Sequence, residues 1–354
     1  MKICHLETPA LLVDKQAMER NMEKMDAILS GTSMALYPHY KSHKCPAIAK
    51  LQLARGAKGI TCAKLGEALD LYAAGISNIV IANQVVQAEK LPKLADLAHK
   101  CRLTVCVDHE HNVLDLEAAM AACGQGKLHV LVEYDVGMNR CGVGSHQEFL
   151  ALAKLVQAQP HLVFEGIQAY AGHMSHEEDA EKRFATVQAI EADVAALKAF
   201  CVENGVTVTE ICGGSTGFAH EKPKNTVYTQ VQFGSYLFLD RSFLPLELQF
   251  EQALFVETTV LSVKPDRVVV DCGVKTMTMD QYPPFFPAFP AAKLSFSEEH
   301  TTLLVEKADL KPGDKLLYVP GHCCTTINTF DRMYAIDGED VLDCWDITSR
   351  GKAQ

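Results

Sequence analysis

From residue 33 to residue 233 short β-rich runs alternate with longer amphipathic stretches, and no other feature restricts the fold so tightly. The strand candidates are SMALY (33–37), KGITC (58–62), NIVIA (78–82), LTVCV (103–107), HVLVEY (129–134), FEGIQAY (164–170), VTEIC (208–212) and YTQVQF (228–233). Between most of them lie stretches such as AEKLPKLADLAHK (88–100) and the long run 177–204, rich in the Ala, Leu, Glu and Lys that helices prefer. Eight β-then-α units over about 210 residues match the count and size of a (β/α)8 TIM-type barrel in an α/β chain. A doubly wound open sheet is the alternative, but no Gly-rich dinucleotide fingerprint follows the first strand.

After residue 245 the pattern changes. LFVETTVLSV, RVVVDCGV, KLLYVP and RMYAI are β-rich, with the turn signal KPGD between two of them and no long helical pattern. The chain therefore divides into an N-terminal segment 1–20, a barrel 21–245 and an all-β domain 246–354. The strand candidate ALLVD (10–14) precedes the barrel count and is a candidate partner for the β domain.

A formal net charge of −11 argues against nucleic acid and anionic membrane, which demand a basic face. No apolar run reaches the length of a membrane span, and the N-terminus lacks a signal-type apolar core, so a cytoplasmic location is the expectation. The 13 cysteines are irregularly spaced, many inside apolar runs. They read as small buried hydrophobes rather than a disulfide framework.

In a barrel, chemistry gathers in the loops after the C-terminal ends of the strands. Those loops are PHYKSHK, NQ (83–84), DVGMNRCGVG (135–144), AGHMSH (171–176), GGSTGF (213–218) and GSYLFLD (234–240). In GGSTGF, Gly213 and Gly214 admit close backbone approach, and Ser215 and Thr216 add hydroxyls, which suits a phosphate. Gly234, Ser235 and Tyr236 on the neighbouring strand would complete the cradle; two glycine turns without a ligand are the alternative. Lys41 lies one loop away, because the first and last strands of a closed ring are neighbours. A phosphate site beside a lysine is what pyridoxal 5'-phosphate needs, the lysine joining its aldehyde as a Schiff base. Lys44 competes for that role. Arg140 suits a carboxylate or a cofactor oxygen, or else an ion pair with Asp135. Tyr170 and His173 follow the sixth strand, as site residues or as packing.

The runs TPALLVD, PHYKSHKCP, DVGMNRCGVG, GIQAYAGH, GGSTG, GSYLFLD and PGHCCTTIN, in this order and nearly end to end, resemble the D-threonine aldolase and D-serine dehydratase family. These are alanine-racemase-like, fold-type III pyridoxal phosphate enzymes. The resemblance implies a TIM-type barrel with a β domain, a homodimer, Lys41 as the cofactor lysine, and phosphate held by the GGSTG and GSY loops. It places Tyr170 near the pyridine nitrogen and Arg140 near cofactor or substrate. It also implies a divalent metal on His322 and Cys324. On an extended segment these two would share a face, with Cys323 pointing away. Imidazole plus thiolate favours zinc, with manganese the alternative.

The expected activity is a metal-dependent lyase of small D-β-hydroxy-α-amino acids. Aldolases of the family tend to carry aspartate at the second metal position and dehydratases cysteine. Cys324 therefore favours elimination of water from a substrate of the D-serine or 3-hydroxy-D-aspartate type, with Lys41 as the α-proton base. Retro-aldol cleavage of the D-threonine type is the alternative, and an amino acid racemase is a further one. A non-catalytic pyridoxal phosphate carrier would need neither the β domain nor the metal pair.

Overall fold

The ALLVD run is a strand, β1 (Ala10–Asp14), with Leu11, Leu12 and Val13 wholly buried, and helix α1 (Lys15–Leu29) follows it directly. A computed structural model describes residues 1–219 and 226–354. They form two units, each drawn from separate stretches of chain. One contains Met1–Ala27, Ser42–Ala47 and Ser235–Gly351; the other contains Ile28–Lys41, Ile48–Gly234 and Lys352–Gln354.

The second unit is the barrel. Its strands are β2 (Ala35–Leu36), β3 (Ile60–Cys62), β4 (Asn78–Gln84), β5 (Arg102–Val107), β6 (Leu128–Glu133), β7 (Leu162–Ala169), β8 (Glu210–Gly213) and β9 (Gln230–Val231), one for each β-rich run. All neighbours are parallel, in the order β2-β9-β8-β7-β6-β5-β4-β3. The two ends of that order meet. His39, just past β2, bridges Thr61 of β3, and the Thr61 N–H donates to Pro38 O at 3.0 Å.

Helices follow the first six strands: α2 (Pro46–Ala54), α3 (Leu65–Ala73), α4 (Leu91–Lys100), α5 (Glu110–Cys123), α6 (His146–Gln157) and α7 (Ala180–Glu203). Their ends are written locally. Ser145 Oγ accepts from Glu148 N at the start of α6, Asp179 does the same for Lys182 N at α7, and Gly124 ends α5 with φ +71°. After β8 and β9 the described residues form 3-10 turns instead, Thr216–Phe218 after β8 and Ser235–Leu237 and Arg241–Leu246 after β9. The glycines there favour close backbone approach over helix. Tyr37, Val80, Cys106, Leu131 and Cys212 pack as one buried cluster. Burial holds the Cys106 and Cys212 thiols well above their usual pKa, so they pack as hydrophobes. None of the 13 cysteines is in a disulfide.

The first unit carries the other sheet, adding β10 (Leu254–Lys264), β11 (Arg267–Val270), β12 (Lys293–Phe296), β13 (Thr301–Leu304), β14 (Lys315–Tyr318), β15 (Arg332–Asp337) and β16 (Asp340–Asp346). Its order is β12-β13-β11-β10-β1-β15-β16, with β14 on β10. β1 runs antiparallel to β10 (Leu11 opposite Val256) and parallel to β15 (Val13 opposite Ala335). The remaining pairs are antiparallel. One short helix, α8 (Cys323–Ile327), interrupts the β-rich region. No helix among the described residues is long and apolar enough to cross a membrane.

Candidate active site

Lys41 sits in a 3-10 turn, Tyr40–Ser42, just after β2. Tyr40 is fully buried and its hydroxyl donates to Asp70 Oδ2 at 3.0 Å, while Lys41 N–H donates to His39 Nδ1 at 3.3 Å. The turn is thus pinned on both sides. Lys41 Nζ stands 5.6 Å from the centre of the Tyr170 ring. Lys44, the competing lysine, has left-handed backbone (φ +51°), and its carbonyl accepts from Ser349 N at 3.3 Å in the first unit.

Tyr170 follows β7 directly, and Arg140 Cζ also lies 5.6 Å from its ring centre. Two cations converge on one aromatic ring, an arrangement worth about 0.5–1 kcal/mol per contact at a partly exposed site. The Arg140 ion pair is not with Asp135. Asp135 accepts from the N–H groups of Gly137 (3.0 Å) and Asn139 (3.1 Å) and so shapes the loop. Arg140 Nη2 instead lies 3.7 Å from Glu133 Oε1. Glu133 is buried at the end of β6, and Gln84 Nε2 donates to it at 2.6 Å. Burial pushes its carboxyl up, and Gln84 and Arg140 pull it partly back. His173 is exposed in the turn Gly172–Met174.

Gly213 and Gly214 cannot be replaced without displacement. A Cβ on Gly213 would collide with Ala169 O; one on Gly214 would lie 2.8 Å from the Phe233 ring, at a φ of +82°. Ser215 and Thr216 are buried. The Ser215 hydroxyl donates to Ser175 Oγ at 2.7 Å and accepts from Gly217 N at 3.4 Å, so it braces its own turn. Gly234 closes the barrel unit, and Ser235 and Tyr236 open the stretch belonging to the other unit. Tyr236 is 1% exposed and its ring packs 5.8 Å from Phe250, which places the ring in the core.

His322 and Cys324 are not on an extended segment. His322 has extended backbone but is the N-cap of α8, and Cys324 lies in the first turn of that helix. The two-residue period of a strand does not apply there. The KLLYVP strand ends at Tyr318, and Asp240 captures the chain beyond it. Asp240 is fully buried, accepts from Cys323 N at 2.6 Å, and caps the 3-10 turn Arg241–Leu246 through Ser242. Cys323 is buried against Ser235 Oγ at 3.7 Å, while Cys324 is half-buried. His322 Nδ1 is 2.6 Å from Asp280 Oδ2. Burial pulls the His322 imidazole down, but Cys324 and then Asp280 outweigh it and push it up to about 10.

These residues fit both groups that the motifs imply. An amine beside an aromatic and a guanidinium suits a pyridoxal ring, and a glycine turn where a Cβ has no room suits a phosphate on backbone N–H groups. An adjacent imidazole and thiol suit a borderline-soft ion. Among the described residues no three or more His, Cys, Asp or Glu side chains are grouped to hold a metal. An ion here would therefore have two protein ligands and leave its other positions to water or substrate.

Glu133, Gln84, Asp240 and Asp280 were not legible as site residues. Glu133 had a signal, a carboxylate inside the apolar run HVLVEY, and Asp240 closes the GSYLFLD motif. Asp280 lies 42 residues from its partner in a stretch without periodicity.

Residues 13–242 match the alanine racemase N-terminal domain family, and 253–336 match a putative serine dehydratase domain. The chain is similar to D-threonine aldolase of Arthrobacter sp., 38% identical over 99% of this chain and 94% of the relative. It is 34% identical to 3-hydroxy-D-aspartate aldolase of Paracoccus denitrificans, over 98% and 93%. It is 28% identical to D-threo-3-hydroxyaspartate dehydratase of Delftia sp., over 96% and 97%. The structure of D-threonine aldolase from Filomicrobium marinum superimposes with a TM-score of 0.96 at 34% identity, covering 100% and 98% of the two chains. Family match and fold thus define a pyridoxal-phosphate-dependent lyase of D-amino acids on the alanine racemase fold. The chain belongs to the family that contains D-threonine aldolase, 3-hydroxy-D-aspartate aldolase and the related D-amino acid dehydratases.

Proposed function

We propose that the chain cleaves D-β-hydroxy-α-amino acids by a retro-aldol reaction, giving glycine and an aldehyde. The observation that carries this reading is the ordering of similarity. Aldolases match at 38% and 34% identity, and the dehydratase at 28%. This reverses the preference that Cys324 alone had given.

Bound at Lys41, pyridoxal phosphate supplies an electron sink for a carbanion at the substrate Cα, and a divalent ion at His322 and Cys324 supplies a Lewis acid for the β-hydroxyl. The residues of this chain do the rest. Backbone N–H groups of Gly213–Thr216 hold the phosphate. Tyr170 and Arg140 fix the ring and its polar edge. Cleavage breaks Cα–Cβ as the β-hydroxyl gives up its proton to water and its oxygen becomes the aldehyde carbonyl, and the Lys41 amine, as its ammonium, returns a proton to Cα.

Dehydration is the second reading, favoured by cysteine at position 324. There the direction of transfer reverses, and Lys41 Nζ takes the Cα proton before hydroxide leaves. The two readings separate on one experiment. D-threonine, D-serine and 3-hydroxy-D-aspartate carrying α-deuterium are turned over with and without chelator, and products are identified. Cleavage gives an aldehyde and shows no primary isotope effect. Ammonia and a keto acid, formed with a primary isotope effect, would establish dehydration instead. Turnover at an unchanged rate in chelator would remove the metal from both.

A further inference from the structure

We propose that Asp280 is a positioning residue for the metal: it holds the His322 ring by Nδ1 so that Nε2 is the nitrogen presented to the ion. The inference rests on the reading of His322 and Cys324 as ligands and adds a residue that neither the motifs nor their spacing contains.

Three observations carry it. The Asp280 Oδ2 to His322 Nδ1 distance is 2.6 Å, a short charge-assisted hydrogen bond. The carboxylate is itself held: Thr325 Oγ1 donates to Asp280 Oδ1 at 2.8 Å, and Thr278 Oγ1 lies 2.6 Å from Thr325 Oγ1 and 3.0 Å from Thr326 Oγ1. Thr325 and Thr326 belong to α8, the helix that His322 caps and that contains Cys324. The chain Thr278–Thr325–Asp280–His322 therefore fixes one ligand relative to the helix bearing the other.

A ligating imidazole uses one nitrogen for the ion, and the hydrogen bond made by the other sets tautomer and ring orientation. With Nδ1 engaged by a carboxylate, the tautomer that remains has a lone pair on Nε2. Asp280 acts as an orienting carboxylate rather than a third ligand, because its side chain is turned to Nδ1 and to Thr325. The arrangement matters more here than in a three-ligand site. Two protein ligands define no plane by themselves, so a freely turning imidazole would let the ion wander.

The test measures zinc and cobalt affinity on cofactor-loaded protein by competition with a chelator. Asp280→Ala should weaken both about 10–100-fold, the range that loss of an outer-shell partner produces. At saturation the cobalt protein should keep its thiolate-to-metal charge-transfer band, because Cys324 still ligates. Asp280→Asn, which keeps an acceptor oxygen, should recover part of the lost affinity, a rescue that a purely structural defect would not give. Thermal unfolding of the metal-free variants checks that the fold is retained. Affinity of Asp280→Ala within twofold of the unaltered protein would overturn the proposal. So would complete loss of binding with no charge-transfer band, which would make Asp280 a ligand. His322→Ala and Cys324→Ala serve as the control on the underlying reading. If both bind zinc as the unaltered protein does, the metal site itself is elsewhere and the two ideas fall together; if only Asp280 is silent, the metal site stands.

Discussion

Lys41 and Lys44 are three residues apart and chemically identical, yet their surroundings differ in kind. Lys41 hangs from a turn pinned by Tyr40 and His39, with its amine over Tyr170. Lys44 spends its backbone on a left-handed kink. Lys41→Ala should therefore lose the visible absorbance of bound cofactor after dialysis, and Lys44→Ala should keep it; the opposite result would move the cofactor to Lys44. Gly214 gives a second residue-scale expectation. Alanine there must adopt a φ near +82° and displace the Phe233 ring. That costs about 1–3 kcal/mol of backbone strain, concentrated in the phosphate turn. Gly214→Ala should raise the cofactor dissociation constant at least tenfold while circular dichroism stays unchanged. If cofactor retention is unaffected, that turn does not hold the phosphate.

Among the elements, β5, β6 and β7 share one network toward their N-terminal ends. Glu165 of β7 is buried and accepts from Arg102, from His129 Nδ1 at 2.9 Å and from Thr104 Oγ1 at 3.2 Å. Burial alone would raise its carboxyl, but His129 and Arg102 outweigh burial and hold it below the ordinary value. A carboxyl depressed in the folded state contributes stability above its unfolded pKa and loses it as pH falls through the folded one. Glu165→Gln should therefore cost roughly 1.5–3 kcal/mol at neutral pH, and the gap to the unaltered protein should narrow below about pH 4. A gap that is constant with pH, read from denaturant midpoints, would mean the network is held by shape rather than charge. This network lies away from the loops that bear Lys41 and Arg140, so its variant should change stability and leave cofactor absorbance intact.

At the scale of the whole molecule, each unit is discontinuous in sequence. β1 is the plainest case. It enters near the N-terminus and lies between β10 and β15, more than 240 residues further along the chain. Removing residues 1–14 would strip a buried central strand and open two unpaired edges, which favour edge-to-edge association. Such a truncation should aggregate or bind hydrophobic dyes strongly, and a soluble, native-like product would show that β10 and β15 can pair without it. Chelation acts on a different level. Removing the metal should abolish turnover and leave the cofactor band in place, because a Schiff base at Lys41 requires no metal.

The eight barrel strands, the switch to β structure after 245 and the lysine loop could all be read from the chain, because each is local. Periodicity and turn chemistry are fixed by neighbouring residues, and a motif such as GGSTG carries its backbone requirement in its own glycines. The partners of those residues could not be read. Arg140 forms an ion pair with Glu133 rather than with Asp135 of its own loop, because the loop uses Asp135 for its own N–H groups. The segment after KLLYVP turns helical at Cys323, because a buried carboxylate 83 residues upstream captures its first N–H. Asp280 meets His322 across 42 residues. Local sequence determines which element forms and which chemistry it carries. Which carboxylate faces which cation or imidazole is settled only when distant segments pack, because a buried charge must find a partner wherever the fold brings one within reach.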